Sequence, residues 1–258
     1  MNLKRYLLGV SLFSVAVLGL AGCGTGEKTV SNVWRVGTDA SYAPFGFQDE
    51  KSHEYVGFDI DIIRAIAETQ GHEVAIKNLN FDGLIPALQT GDLDIAISDM
   101  TINEERAKTV DFTDSYYKAG LSMVVRADET RINSFDDLEG LRVGVTIGST
   151  GAEAARGIPN ADLHEFSTIS DAFLDLYNGG VDVVVNDTPV DEYYVENKGK
   201  GIAKVVPAQI NQEDLGIAVK KDNAELLNQL NAGLKTIREN GEYAEIYRKW
   251  FGKEPPAE

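Results

Sequence analysis

Ser98, Asp99 and Thr101 follow directly on the apolar run Ile95-Ala96-Ile97, and Arg106 stands five residues beyond Thr101. A strand that passes from apolar residues to hydroxyls, a carboxylate and a guanidinium is leaving a core for a crevice, and open α/β sheets bind ligands at such strand ends. A planar guanidinium can clamp a carboxylate through two parallel hydrogen bonds, and Thr101 could add a hydroxyl and a backbone N–H to the same group. The plainer alternatives are a solvated Arg106 on a helix that Asn103 caps, with Glu104 and Glu105 in its first turn, and a strand-end turn at Thr101. Asp187 ends a second apolar run, "VDVVV", where it can meet an ammonium; a carboxylate so placed needs a partner, although Asp-Thr-Pro is also an ordinary turn. Gly148 to Gly151 opens a helix after a strand, so its amides could face an anion or form a simple turn capped by Ser149 or Thr150. Tyr42 and Phe81, each near a strand end, can pack a ligand's side chain or its cation, or belong to the core.

The elements that must position these groups alternate between strand and helix signals, which predicts an α/β fold with parallel sheets. "WRVGTDASYAPF" reads as strand and loop. "GFDIDIIRAIAETQG" puts Phe58, Ile62, Ile63, Ile66 and Ala67 on one helical face and stops at Gly71. "HEVAIKNLN" is strand, "FDGLIPALQTG" is a short helix closed by Gly91, and "DLDIAISD" is strand again. Pro86 fits that helix only near its first turn. From Leu121 a second set follows, with "GLRVGVTIGSTGAEAAR" as strand, turn and helix and "ISDAFLDLYNGGVDVVVNDTP" as helix, stop and strand. The two sets share a weak repeat. Laying "ALQTGDLDIAISDMT" over "DLYNGGVDVVVNDTP" puts Asp94 on Asp182, Ser98 on Asn186 and Asp99 on Asp187. Two facing lobes would bring both polar strand ends into one cleft.

The chain has 258 residues, enough for one large domain or two small ones, and at 43% hydrophobic it can bury a core. Its formal net charge of −17 argues against nucleic acid as a partner. Lys4 and Arg5 precede an apolar stretch, Tyr6 to Leu20, too short and wrongly flanked for a spanning helix, so residues 1–22 read as a leader. The stretch ends in Leu20-Ala21-Gly22-Cys23, which resembles a bacterial lipoprotein lipobox; that resemblance implies cleavage before Cys23, lipidation of its thiol and anchoring to the outer face of the cell membrane. Cys23 is the single cysteine in the chain, so no disulfide can form within it. Residues 23–32 read as a flexible tether. His53, His72 and His164 show no metal-ligand spacing, no serine lies in a G-x-S-x-G elbow, and the Gly-x-Gly of "GCGTG" precedes no helix.

"GTDASYAPFGF", "YVGFDIDIIRAIAE", "FDGLIPALQTGDLDIAIS", "MTINEERAKTVDFTDSYY", "NDTPVDEYY" and "RENGEYAEIYRKWFG", in that order, resemble the family 3 extracellular solute-binding proteins, the polar amino-acid receptors of ABC importers. Within that family the similarity is greatest to glutamine-binding proteins. The resemblance implies a two-lobed periplasmic-binding-protein-like (type II) fold with two hinge crossovers. Lobe one would comprise 33–115 and 216–258, lobe two 121–210, and the hinges 116–120 and 211–215. It assigns Arg106 and Thr101, helped by the Thr150 backbone, to a ligand's α-carboxylate and Asp187 to its α-ammonium. Ser98 and Asp99 line the ammonium end, and Asp39, Tyr42 and Phe81 surround the side chain. Three positions depart from the glutamine receptors, which carry lysine at Thr146, histidine at Asn186 and glycine at Asp99. One cation lost and one carboxylate gained favour a cationic side chain, so arginine, lysine and histidine rival glutamine. The expected protein is a monomeric, non-enzymatic, lipid-anchored receptor that delivers a polar L-amino acid (glutamine as first choice, or arginine, lysine or histidine) to a membrane permease, with no cofactor or metal. One rival is a dehydratase of cyclic carboxylic acids on the same fold. The other is a sensory module, which should continue well past Trp250.

Overall fold

A computed structural model describes residues 32–256, the side chains of 207–211 excepted; the leader, Cys23 and almost all of the tether lie outside the described residues. The chain first lays down β1 (Val33–Thr38), a small antiparallel ribbon of β2 (Ser41–Tyr42), β3 (Gly46–Gln48) and β4 (Tyr55–Val56), helix α1 (Phe58–Thr69), β5 (Glu73–Asn78), α2 (Phe81–Thr90), β6 (Ile95–Ala96), the single turn α3 (Glu104–Ala107) and β7 (Val110–Phe112). It crosses over in β8 (Tyr117–Arg126) and continues through β9 (Arg142–Thr146), α4 (Thr150–Arg156), β10 (Asp162–Phe166), α5 (Ile169–Asn178), β11 (Val183–Asp187) and α6 (Thr188–Asn197). It then returns in β12 (Ala203–Leu215) and closes with β13 (Ala218–Lys220), α7 (Ala224–Glu239) and α8 (Glu242–Phe251).

Two five-stranded sheets result, one per lobe, with the orders β5-β1-β6-β13-β7 and β10-β9-β11-β8-β12. In each, the first three strands are parallel, the fourth is antiparallel to the third, and the fifth is antiparallel to the fourth. The faint repeat in the sequence is therefore a repeat of architecture, with β6 and β11 as equivalent central strands. The entry to each is built alike. α2 and α5 both stop at a glycine in the left-handed region, Gly91 (φ 81°) and Gly179 (φ 76°), where other residues are strained. Asp94 then takes a forked pair of bonds from Arg35 Nε and Nη2 (3.0 and 2.6 Å), and Asp182 takes the same pair from Arg142 (3.0 and 2.6 Å).

The face predicted for α1 (Phe58, Ile62, Ile63, Ile66 and Ala67) is buried, and the helix packs against α7 and α8. Gly233 permits that approach, since a Cβ there would lie 2.7 Å from Ile66 Cγ2. Pro86 departs from expectation: it sits in the second turn of α2, not the first. A proline inside a helix costs about 3 kcal/mol. Leu84 and Leu88, both fully buried on the same helix, each contribute about 1.5–3 kcal/mol and offset it. β8 and β12 pair antiparallel from Tyr117↔Leu215 to Arg126↔Ala203, with register shifts on either side of Ile210.

Candidate functional site

Both central strands end at one small cavity between the lobes. It is lined by Asp39, Tyr42, Phe81, Ser98, Asp99, Thr101, Arg106, Thr146, Ser149, Thr150 and Asp187. Ten of the eleven residues singled out in the sequence are brought together here. Asn186 is the exception. Its carboxamide accepts from Tyr42 Oη (2.5 Å) and donates to the buried Asp191 (3.2 Å), so it supports Tyr42 from behind instead of facing the cavity. Ser149 is the addition; its hydroxyl caps α4 by accepting from Ala152 N and donates to the Thr146 carbonyl.

Arg106 is not the solvated arginine of the plainer reading. Asn103 does cap α3, accepting from Arg106 N at 2.8 Å, but the guanidinium turns inward. Nη1 donates to the Thr101 carbonyl at 2.8 Å and Nη2 to the Gly148 carbonyl of lobe two at 3.0 Å, and the group lies 5.2 Å from the Phe81 ring centroid. Phe81 thus already serves the protein's own cation on one face. Burial lowers the Arg106 pKa, against the opposing pull of Glu153, Asp187 and Glu213. Five donors on a guanidinium leave capacity for an incoming carboxylate. The Thr101 hydroxyl is engaged elsewhere: it donates to Glu213 Oε2 at 2.7 Å, where the Thr150 hydroxyl also donates at 3.0 Å. The Thr101 hydroxyl proton is thereby committed to Glu213.

The opposite end is acidic. Asp187 Oδ2 accepts from Tyr42 Oη at 2.5 Å across the cleft, while its Oδ1 has no partner among the described residues. Burial, with Glu213 nearby, pushes its pKa up to about 7. Asp99 holds a left-handed backbone (φ 51°), fixed by donation of its amide to Asp59 Oδ2 at 2.8 Å, and neither of its carboxylate oxygens has a partner among the described residues. Burial first, then the Asp187 carboxylate, raise its pKa well above the usual range. Beneath it, Asp59 also accepts from Tyr116 Oη (2.8 Å), and burial takes it to about 7. Asp39 accepts from Ser41 N and Oγ (3.0 and 2.7 Å), and its own amide donates to Ser98 Oγ (3.0 Å). Burial raises its pKa against those hydrogen bonds. Thr146 Oγ1 is buried and has no partner among the described residues.

Glu213 and Asp59 escaped the sequence reading. An acid in the first turn of a helix reads as a dipole effect, though Asp59 falls among apolar residues of α1; Glu213 lies in an extended crossover with no pattern around it. Among the described residues no group of three or more His, Cys, Asp or Glu side chains is placed to hold a metal, and no helix is long and apolar enough to cross a membrane.

A cavity between two sheets of like topology, charged oppositely at its two ends, defines a two-lobed solute-binding fold. The family model described as "Bacterial extracellular solute-binding proteins, family 3" matches residues 34–253, and the chain belongs to that family. It is 34% identical to a probable histidine-binding protein of Neisseria gonorrhoeae, over 98% of either chain. It is 36% identical to the ABC transporter glutamine-binding protein of Bacillus subtilis, over 96% of this chain and 97% of that one. Among solved structures, an ancestral arginine-binding protein bound to arginine matches with a TM-score of 0.83 and 43% identity, covering 86% of this chain and 99% of that one. These relatives are named as binding proteins, and this chain is one too, not an enzyme.

Proposed function

We propose that this protein is the receptor of an ABC importer and that it closes its two lobes on a polar L-amino acid, preferring a cationic side chain over glutamine. The observation that carries the reading is the placement of Arg106 and Asp187, from opposite lobes, on the walls of one cavity. In the proposed complex the α-carboxylate meets Arg106 with the amides of Thr101 and Thr150. The α-ammonium meets Asp187, with Ser98 and Asp99 at the same end. The side chain lies among Asp39, Tyr42 and Phe81. The names of the relatives, which cover histidine, glutamine and arginine, support the class of ligand. The preference for a cation rests on three lining carboxylates against one guanidinium, and on Thr146 standing where glutamine receptors resembling this one carry lysine.

Lobe one, 33–115 with 216–258, and lobe two, 121–210, would swing about hinges at 116–120 and 211–215. The register shifts of β12 beside Ile210 support a weak point there. Closure on the ligand favours one arrangement of the lobes, and the permease reads that arrangement. A lipid on Cys23 would hold the monomeric receptor at the membrane. A thermal-shift screen of the twenty amino acids tests the reading, because a ligand at 100 times its Kd stabilises by about 2.7 kcal/mol. Arginine, lysine or histidine should give the largest shift; no shift with any amino acid would overturn it.

A further inference from the structure

The cleft holds more negative charge than an amino acid can balance. Among the described residues that line it, Asp39 and Asp99 are each 4% exposed and Asp187 6%, while the one cation, Arg106, is 7% exposed. An α-amino acid brings one carboxylate and one ammonium, so closure over a neutral side chain leaves two buried carboxylates without a countercharge. Closure over a cationic side chain leaves one. Burying an unpaired carboxylate is costly enough that the group takes a proton instead.

We infer that closure of the cleft on an amino acid is coupled to proton uptake and that Asp99 is the group that takes the proton. Of the three carboxylates it is the one whose anion no described protein group holds: Asp187 has Tyr42 Oη and Asp39 has the amide and hydroxyl of Ser41, whereas neither oxygen of Asp99 has a partner among the described residues. It cannot turn away, because its amide is fixed to Asp59. The ionisable groups around it come from every neighbouring element: Asp187 from β11, Asp59 from α1, Glu213 from β12, Tyr42 from β2 and Tyr116 just before β8, with Arg106 of α3 as the single opposing charge. Burial and these acids act in the same direction on Asp99, upward. In an open, wet cleft the carboxylate ionises at neutral pH, with an ordinary value of about 3.9. On closing over a cationic side chain, a proton passes from solvent to an Asp99 oxygen, no other group changes, and a cluster of acceptors gains a donor; over a neutral side chain a second carboxylate of the cleft takes a further proton.

The sign of the pH dependence follows. Uptake on binding means that affinity rises as pH falls between the closed-form and open-form pKa values, by about tenfold per pH unit for each proton taken up. A simple ammonium–carboxylate pair would instead weaken toward acid.

The inference rests on the amino-acid reading of the site, and its test separates the two. Titration calorimetry of the protein with L-arginine at neutral pH, in phosphate and in Tris buffer, gives the number of protons exchanged from the difference in heats. The wild type should take up about one proton with arginine, and about two with L-glutamine where that binds. Asp99→Asn, whose affinity changes because the residue lines the ammonium end, should lower each figure by about one where it binds, and the wild-type figures decide where it does not. Equal heats in both buffers for the wild type, or an uptake unchanged in Asp99→Asn, would overturn the coupling while leaving the receptor reading intact. Should Asp99→Asn not fold, the wild-type buffer comparison and the slope of Kd against pH decide the matter alone. Absence of binding by either amino acid would overturn the receptor reading and this inference with it.

Discussion

Thr101 of lobe one and Thr150 of lobe two donate their hydroxyls to the same oxygen, Glu213 Oε2, at 2.7 and 3.0 Å. The carboxylate lies on β12, one of the two connecting strands, so the bond from Thr150 depends on how lobe two meets the hinge. Hydrogen bonds to charged groups contribute roughly 1.5–3 kcal/mol. Thr150→Val keeps the shape, removes the donor and leaves Glu213 with Thr101. It should weaken ligand binding by about 1–2 kcal/mol, or roughly five- to thirtyfold. The loss should fall on the dissociation rate in stopped-flow measurements, since the bond holds the closed form together.

Tyr42 spans the cleft in the same way. Its hydroxyl, with a single proton to give, lies 2.5 Å from both Asp187 Oδ2 and Asn186 Oδ1. Tyr42→Phe keeps the ring against the ligand and leaves a buried carboxylate oxygen unserved, at a cost of about 1–3 kcal/mol. A calorimetric Kd should rise accordingly, with unliganded stability nearly unchanged. A Kd within twofold of wild type would remove Tyr42 from the ammonium end.

Asp59 predicts a pH effect on stability. Its pKa is raised on folding to about 7, so its contribution is fully present below the unfolded value and is lost as pH rises through about 7. The unliganded protein should lose stability between about pH 4 and pH 7. Asp59→Asn cannot ionise, and it can still accept from the Asp99 amide while its NH₂ donates to Tyr116 Oη. It should flatten the slope and be the more stable form at alkaline pH, by at most about 4 kcal/mol. Asp191, also raised by burial, contributes to the slope that remains. Chemical denaturation across the pH range reads both.

How far the sequence reveals this molecule depends on the kind of signal. Arg106 and Asp187 stood out in the sequence because Asp187 ends an apolar run and Arg106 follows one closely, and the structure brings both to the wall of one cavity. The repeat was visible through Asp94 and Asp182, yet their partners Arg35 and Arg142 were not, because each lies on a separate parallel strand far away in the chain. Asn186 was placed one layer too close to the ligand: alternation along β11 gives its face but not the hydrogen bond to Tyr42 from the other lobe. The partner of the Thr101 hydroxyl was hidden for a similar reason, since Glu213 arrives more than a hundred residues later. Pro86 shows the reverse case, a local rule overridden by the burial of its helix.

Membrane attachment is a separate expectation, resting on Leu20-Ala21-Gly22-Cys23 alone. A Cys23→Ser chain expressed in a bacterium should leave the membrane fraction, appearing soluble or uncleaved. Equal partitioning of the two chains would remove the lipid anchor from the account and leave the binding site untouched.

The central claim is that an amino acid held between Arg106 and Asp187 closes the lobes. Truncating one member of a buried charge pair costs roughly 2–5 kcal/mol, so Arg106→Ala and Asp187→Ala should each lose useful affinity while the unliganded protein stays folded. Small-angle scattering with and without L-arginine tests this most directly. The account predicts that the radius of gyration of the wild type falls on adding arginine and that neither variant responds at the same concentration. A wild type that binds arginine without compacting, or an Arg106→Ala protein that compacts as the wild type does, would contradict it.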